Sequence, residues 1–166
     1  MSQAPPPPPP PPPPSPPPPS GYPTPGPPAG GPSGPRADFG TRFLAILIDA
    51  VIVWIVTAIA FRINLVLGLL LALASIAYYV YFEGSPSGQT VGKRAMKIRV
   101  VDAQTGSSID RGRALVRNLM RIVSGIPCYL GYLWMLWDPE KQTWHDKVAA
   151  TYVVPTSAYP VESWPG

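Results

Sequence analysis

The most exacting side chain in this sequence is Asp49. It is the one carboxylate in residues 42–61, RFLAILIDAVIVWIVTAIAF, an otherwise apolar run behind Arg42. At about 1.5 Å rise per residue, such a helix reaches roughly 30 Å, the thickness of a bilayer's hydrocarbon core. An Asp near the middle of a membrane helix costs roughly 2.5–3.5 kcal/mol to insert, so it needs a use or a partner. It can accept a proton or coordinate a cation there. It can also be structural, bonded to a hydroxyl such as Thr57 or Ser75, or to an arginine. Arg42 projects from roughly the same face as Asp49, but about 10 Å of rise separates them, too far for a direct bond. From the helix end its side chain can snorkel to lipid phosphate.

Other constellations fail as catalytic machinery. His145 and Asp146 are sequence neighbours, which rarely face one another on a helix, and no nucleophile accompanies them. Residues 88–94, GQTVGKR, lack the phosphate-loop spacing, because three residues and not four separate the glycines and Arg94 stands where Ser or Thr is required. Cys128 is the only cysteine, which excludes an intrachain disulfide; it reads as a small packing residue. No catalytic residue, metal ligand set or cofactor is expected, and the chain reads as non-enzymatic.

The elements that must position Asp49 follow from composition. Residues 1–35 contain only Pro, Gly, Ser and a few other uncharged residues, with prolines at 5–19 broken once by Ser15. Such a run is a polyproline II rod leading into a disordered linker, either a spacer or a docking tail for an aromatic-lined groove on another protein. The first apolar segment is too long for a signal-peptide core. Arg36 and Arg42 flank it on the amino side, which sets a cytoplasmic N-terminus. Arg62-Ile63-Asn64 is a tight polar break. A second span, residues 63–82, then carries Gly68, Ala72 and Ser75 on one stripe, where two helices can approach closely, and ends in Tyr78, Tyr79, Tyr81 and Phe82 as an interfacial belt.

Net charge is +4, with eight basic residues between Lys93 and Arg121 against Asp102 and Asp110. Beside two membrane spans, this marks a cytoplasmic face toward anionic lipid head groups and not a nucleic-acid site. Residues 95–101 alternate as a strand, with a short cytoplasmic hairpin closing near 107–110; residues 151–154 form a second candidate partner strand. A helix over 111–124 repeats Arg113, Arg117 and Arg121 every four residues, a lipid-facing basic stripe on an interfacial helix. Residues 126–137 are apolar but too short to cross. With basic residues on both flanks, they read as a re-entrant segment, the third full span over 119–137 being the alternative. The expected class is an all-α membrane protein: two transmembrane helices, an interfacial helix, a re-entrant or third hydrophobic segment and a small hairpin. Residues 155–166 read as a disordered end.

These motifs resemble the RDD family of bacterial membrane proteins. The resemblance rests on Arg42, Asp49 and, in Gln142-Thr143-Trp144-His145-Asp146, on Asp146. Gly88 to Arg94 followed by Ile98 to Asp102, and Ala114 with Arg117 and Arg121, match further blocks, so it covers residues 36–154. It implies a multi-pass protein of the bacterial plasma membrane, with Arg42, Asp49 and Asp146 as ligand or ion site residues. It also raises a clamp between Arg42 and Asp146, expected as a bidentate bond. Two functions stay open. One is an oligomeric transporter of a small cation or other small ligand using Asp49. The other is a non-enzymatic anchor or assembly protein that recruits cytoplasmic partners through its Pro-rich tail.

Overall fold

Asp38 sets where the first helix begins. Its Oδ1 accepts the Thr41 N–H at 2.8 Å and its Oδ2 the Thr41 hydroxyl at 2.7 Å. In the computed structural model, which describes residues 32–127, 129–161 and 163–165, α1 runs Phe39–Ile63 and α2 runs Leu65–Glu83. Both are long and apolar enough to cross a membrane. Asn64 alone separates them. Its N–H closes α1 on the Ala60 carbonyl at 2.9 Å, and its side-chain oxygen opens α2 by accepting the Val66 N–H at 2.7 Å. Gly68 lets α2 return closely, since a Cβ there would sit 2.3 Å from the Phe61 ring. Phe43, Leu47, Trp54, Leu70 and Leu73 are exposed along the pair, a surface suited to lipid tails and not to water. The polyproline run and Cys128 lie outside the described residues.

The other elements gather where α1 begins and α2 ends. They are α3 (Val91–Ala95), β1 (Ile98–Asp102), α4 (Arg111–Gly125), α5 (Leu130–Leu133) with a 3-10 turn at Trp134–Leu136, α6 (Trp144–Val148) and β2 (Thr151–Pro155). The strands pair antiparallel, Ile98 opposite Pro155 and Asp102 opposite Thr151. β1 thus takes the distant partner, and the local hairpin does not form. The turn chemistry is present: Asp102 Oδ1 accepts the Gln104 and Thr105 N–H groups at 2.6 and 2.9 Å. Asp110 then caps α4 by accepting the Arg113 N–H at 3.0 Å, so the chain leaves as a helix before a second strand can return. Val100, Val101, Val153 and Val154 are fully buried, and Ala45 of α1 and Ala114 of α4 close over the sheet. Arg99 is covered too and donates to the Pro86 and Pro160 carbonyls, each at 2.7 Å.

The chain past Pro155 is not a free end. Trp164 stacks on Phe82 with centroids 5.2 Å apart and donates to the Gln89 carbonyl at 3.0 Å. The base of the Pro-rich tail is tied down likewise: the Ala37 N–H donates to the Val153 carbonyl at 2.9 Å, and the Arg36 guanidinium lies 3.8 Å over the Tyr152 ring.

The segment after α4 turns sharply. The axes of Arg111–Gly125 and Leu130–Leu136 differ by 113°, Tyr129 takes φ 60°, and Gly131 lies so near Ser124 that a Cβ would meet it at 2.6 Å. The break falls where Gly125 and Pro127 place it.

Candidate functional site

Asp49 is buried, and three donors hold it. Tyr78 OH reaches Oδ1 at 2.8 Å, the Gly92 N–H reaches Oδ1 at 2.8 Å and the Thr90 hydroxyl reaches Oδ2 at 2.6 Å. Tyr78 OH in turn accepts the Val91 N–H at 3.1 Å. The partners are neither Thr57 nor Ser75, whose hydroxyls bond backbone carbonyls one turn back. Residues 88–92 are shaped for this contact. Gly88 has φ +63°, and a Cβ on it would meet the Val100 carbonyl oxygen at 2.4 Å. A Cβ on Gly92 would meet the Ala45 carbonyl oxygen at 2.0 Å, so only glycine lets α3 lie against α1. The GQTVGKR motif therefore presents backbone and hydroxyl donors to a carboxylate of the same chain.

A second, larger cluster is built on two fully buried carboxylates, Glu83 and Asp146. Arg117 bridges them. Its Nη1 donates to Glu83 Oε2 at 2.6 Å, and its Nε and Nη2 donate to Asp146 Oδ1 at 3.0 and 2.6 Å. Lys93 pairs with Glu83, and Arg121 Nη1 lies 3.6 Å from the same carboxylate. Arg42 Nη1 donates to Asp146 Oδ2 at 2.6 Å. The Arg42–Asp146 clamp is thus present, but through one nitrogen and not the two-bond fork expected of it. Asp146 also completes a capping box with Thr143, accepting its N–H at 3.2 Å. One carboxylate joins α1, α4 and α6.

Arg113, Arg117 and Arg121 of α4 turn inward and do not form a lipid-facing stripe. Arg117 is 2% exposed, Arg121 lies over the Tyr79 ring at 4.6 Å, and Arg113 pairs with Asp102 and donates to the Ala149 and Ala150 carbonyls. Leu115, Val116, Leu119, Ile122 and Val123 are the exposed side. The helix is amphipathic as read, but in the opposite sense. With α1 and α2 apolar outside, the charged stripe finds its low-energy neighbours inside, on Glu83 and Asp146.

Four cations meet two carboxylates here, and burial shifts the titrations. Burial pushes the Lys93 ammonium down to about 8, against the pull of Glu83. Burial would raise the Asp146 carboxyl, yet Arg117 and Arg42 outweigh it and hold it well below the carboxylate range. Burial also pushes the His145 imidazole well below 6.5, so it stays neutral beside Asp146. The unfolded chain then binds more protons than the folded one below pH 6.5, and stability falls as pH drops from there toward the folded value. The fall is expected at up to about 1.4 kcal/mol per pH unit. Melting of purified protein between about pH 7.5 and 5 should show it, with a shallower slope in His145→Gln. An equal slope in both would assign the acid sensitivity elsewhere; Asp146 is excluded, since its contribution fades only below the usual carboxylate value of 3.8.

A cavity of about 270 Å³ opens beside this cluster. Its charged lining residues are Arg42, Lys93, Arg117 and Arg121, and no carboxylate is among them. Among the described residues, Arg42 Nε and Nη2 and His145 Nδ1 are buried without a hydrogen-bond partner; both side chains border the cavity, but these atoms are closed off from it and its walls are almost wholly apolar. No group of three or more His, Cys, Asp or Glu among the described residues is placed to hold a metal. The sequence reading assigns no site role to Glu83 or Thr90, and places Tyr78 in the interfacial belt and Lys93 in the basic patch. The available signal was Glu83 itself, the acid that closes an apolar span at the basic end of the chain.

The profile of the RDD family matches residues 36–150. The chain is 37% identical over 89 residues to a proline-rich antigen homolog of Mycobacterium tuberculosis, covering 52% of this chain and 37% of that protein. It is 34% identical over 86 residues to the proline-rich antigen of Mycobacterium leprae, covering 52% of this chain and 34% of that protein. With the uncharacterized protein YxaI of Bacillus subtilis, identity is 33% over 86 residues, covering 52% of this chain and 56% of that protein. The matched part thus spans from about a third to just over half the length of these relatives. No solved structure matches the chain.

Proposed function

This chain belongs to the RDD family, and from that premise we propose that it is a non-enzymatic, multi-pass plasma-membrane protein that holds a small apolar ligand in its cavity. The observation that carries the reading is the cavity lining: Phe39, Phe43, Ile46, Leu133, Met135 and Val153 supply its walls, while Arg42, Lys93 and Arg117 beside it turn their N–H groups to the Glu83 and Asp146 carboxylates. Covering such walls with an apolar ligand recovers roughly 25 cal/mol per Å² of surface removed from water.

On this reading both ends of the family domain lie on the cytoplasmic side. The Ala37–Val153 hydrogen bond supports this, because two crossings return the chain to the side where it started and the sheet then meets its base. On this reading the bent α4–α5 segment is re-entrant, with Arg113 at one end and Asp146 beyond the other tied to the same module. The Lys and Arg bias of residues 93–121 agrees with that side. A cation route through Asp49 has less support, since Tyr78, Thr90 and Gly92 already engage both oxygens.

Hexanol should raise the melting temperature of the full chain in neutral detergent at least as much as hexyl phosphate at equal concentration, and Ile46→Trp, which fills the cavity, should remove the effect. No shift with hexanol, or an undiminished one in folded Ile46→Trp, would end this reading, and a larger shift with hexyl phosphate would point to an anion site in its place. A sodium-dependent proton flux in vesicles that Asp49→Asn abolishes would assign the cation reading in its place.

A further inference from the structure

Three elements wall the cavity with hydrocarbon: α1 through Phe39, Phe43 and Ile46, the segment beyond the bend through Leu133 and Met135, and β2 through Val153. Met135 and Val153 are 5% and 1% exposed and form the inner wall. An apolar cavity of ~150 Å³ holds one benzene ring, or roughly 25 Å³ per carbon. On that scale a cavity of about 270 Å³ takes about ten carbons.

The mouth is edged by exposed rings, Phe43 on α1 and Tyr129 at the bend, and both line the cavity. Ile126 and Leu130, to either side of Tyr129 in the chain, are exposed as well. α1 continues the wall outward. Residues four apart share a helix face, which places Ala50 one turn beyond Ile46 and Trp54 one turn beyond Ala50. Both are exposed, and Ala50 is small, so an open trough leads from the mouth along α1. Ala50 and Trp54 lie near the middle of Phe39–Ile63, a helix long and apolar enough to cross a membrane. In a spanning helix that stretch is surrounded by acyl chains and not by water.

We propose, resting on the apolar-ligand reading above, that the occupant is an uncharged, chain-shaped lipid of the bilayer interior, one end in the cavity and the remainder along Ala50 and Trp54. Such a chain is already in hydrocarbon and gains no transfer energy on entry. It gains contact with walls that otherwise face a void. A charged end is excluded at both places: the cavity offers it no polar wall, and the bilayer interior makes it costly. A phospholipid chain hangs from a head group at the bilayer surface with its tip toward the middle, so it would have to double back to enter. The ion pairs of Arg42, Lys93 and Arg117 stay as they are, because no polar group of the ligand meets them.

The full chain is reconstituted in phosphatidylcholine vesicles with one of two photoreactive probes. One is hexadecane carrying a diazirine at one end; the other is phosphatidylcholine carrying the same group at an acyl tip. After photolysis, adducts are mapped by peptide mass spectrometry. The hydrocarbon probe is expected to modify Met135 and Val153, and the phosphatidylcholine probe only exposed positions such as Leu70 and Leu73. Ala50→Trp blocks the trough at an exposed position without filling the cavity. It should abolish the adducts at Met135 and Val153 and keep the shift in melting temperature with hexanol. Melting curves confirm that the variant is folded, and Ala50→Phe serves if it is not. Absence of a Met135 adduct with the hydrocarbon probe, equal labelling of Met135 by both probes, or undiminished labelling in folded Ala50→Trp overturns the proposal. Adducts at Met135 that vanish as the protein-to-lipid ratio rises assign the mouth to a second copy and overturn it too. In each of these cases a hexanol shift that Ile46→Trp removes leaves the small apolar ligand standing; absence of that shift removes both readings.

Discussion

Asp146→Asn is expected to cost about 3–5 kcal/mol, enough to leave little folded protein. The change preserves shape and removes one charge, but that charge answers two buried arginines. Arg117 delivers two N–H groups to Oδ1, and Arg42 delivers one to Oδ2. With a neutral amide between them, the two guanidiniums repel each other through a low-dielectric interior. The measurement is the yield and melting temperature of detergent-purified protein against the parent; a loss of under ~1 kcal/mol would show that water reaches the cluster and screens it. The charge exchange Arg42→Asp with Asp146→Arg, which a simple two-residue clamp would tolerate, should not recover the fold. An arginine at 146 would face Arg117 and could not accept the Thr143 N–H that starts α6. Recovery to near parent yield would mean that the Arg117 contacts contribute little.

That contrast also marks what the sequence made legible. Hydropathy located α1 and α2 to within a few residues, because a helix in lipid has to be apolar along its whole length. The family resemblance suggested that Arg42 and Asp146 meet, and the β-branched run at 151–154 suggested a partner for β1. The sense of α4 was not legible. An amphipathic stripe specifies that one face differs from the other, and whether the charged face turns outward depends on what waits inside. Here Glu83 and Asp146, 63 positions apart in sequence, wait together only once α2, α4 and α6 have packed. Asp49 was legible as a problem but not in its solution. Its donors come from a tyrosine one helix away and from a loop whose glycines resemble phosphate binding, and they serve a carboxylate of the chain itself.

Glu83→Gln tests the other half of the cluster and should carry its own pH signature. Glu83 answers Lys93 and Arg117 directly and Arg121 at 3.6 Å, so the neutral amide leaves three cations facing one another, of which Arg117 still pairs with Asp146. A loss of about 3–5 kcal/mol at neutral pH follows. Unlike the arginines, Lys93 can shed its charge. Burial already brings it down to about 8 in the parent, with Glu83 working in the opposite direction, and removing Glu83 takes away that support. Between the folded value and 10.5 the unfolded chain binds more protons, so stability climbs with pH across that window. In the parent the climb begins near pH 8; in Glu83→Gln it should begin lower, and the deficit against the parent should narrow from pH 7 toward pH 9. Adding Lys93→Met to Glu83→Gln should abolish the extra slope and restore part of the loss at pH 7. A deficit that stays constant with pH, or a double variant no better than the single one, would mean that Lys93 is not the cation that Glu83 principally serves.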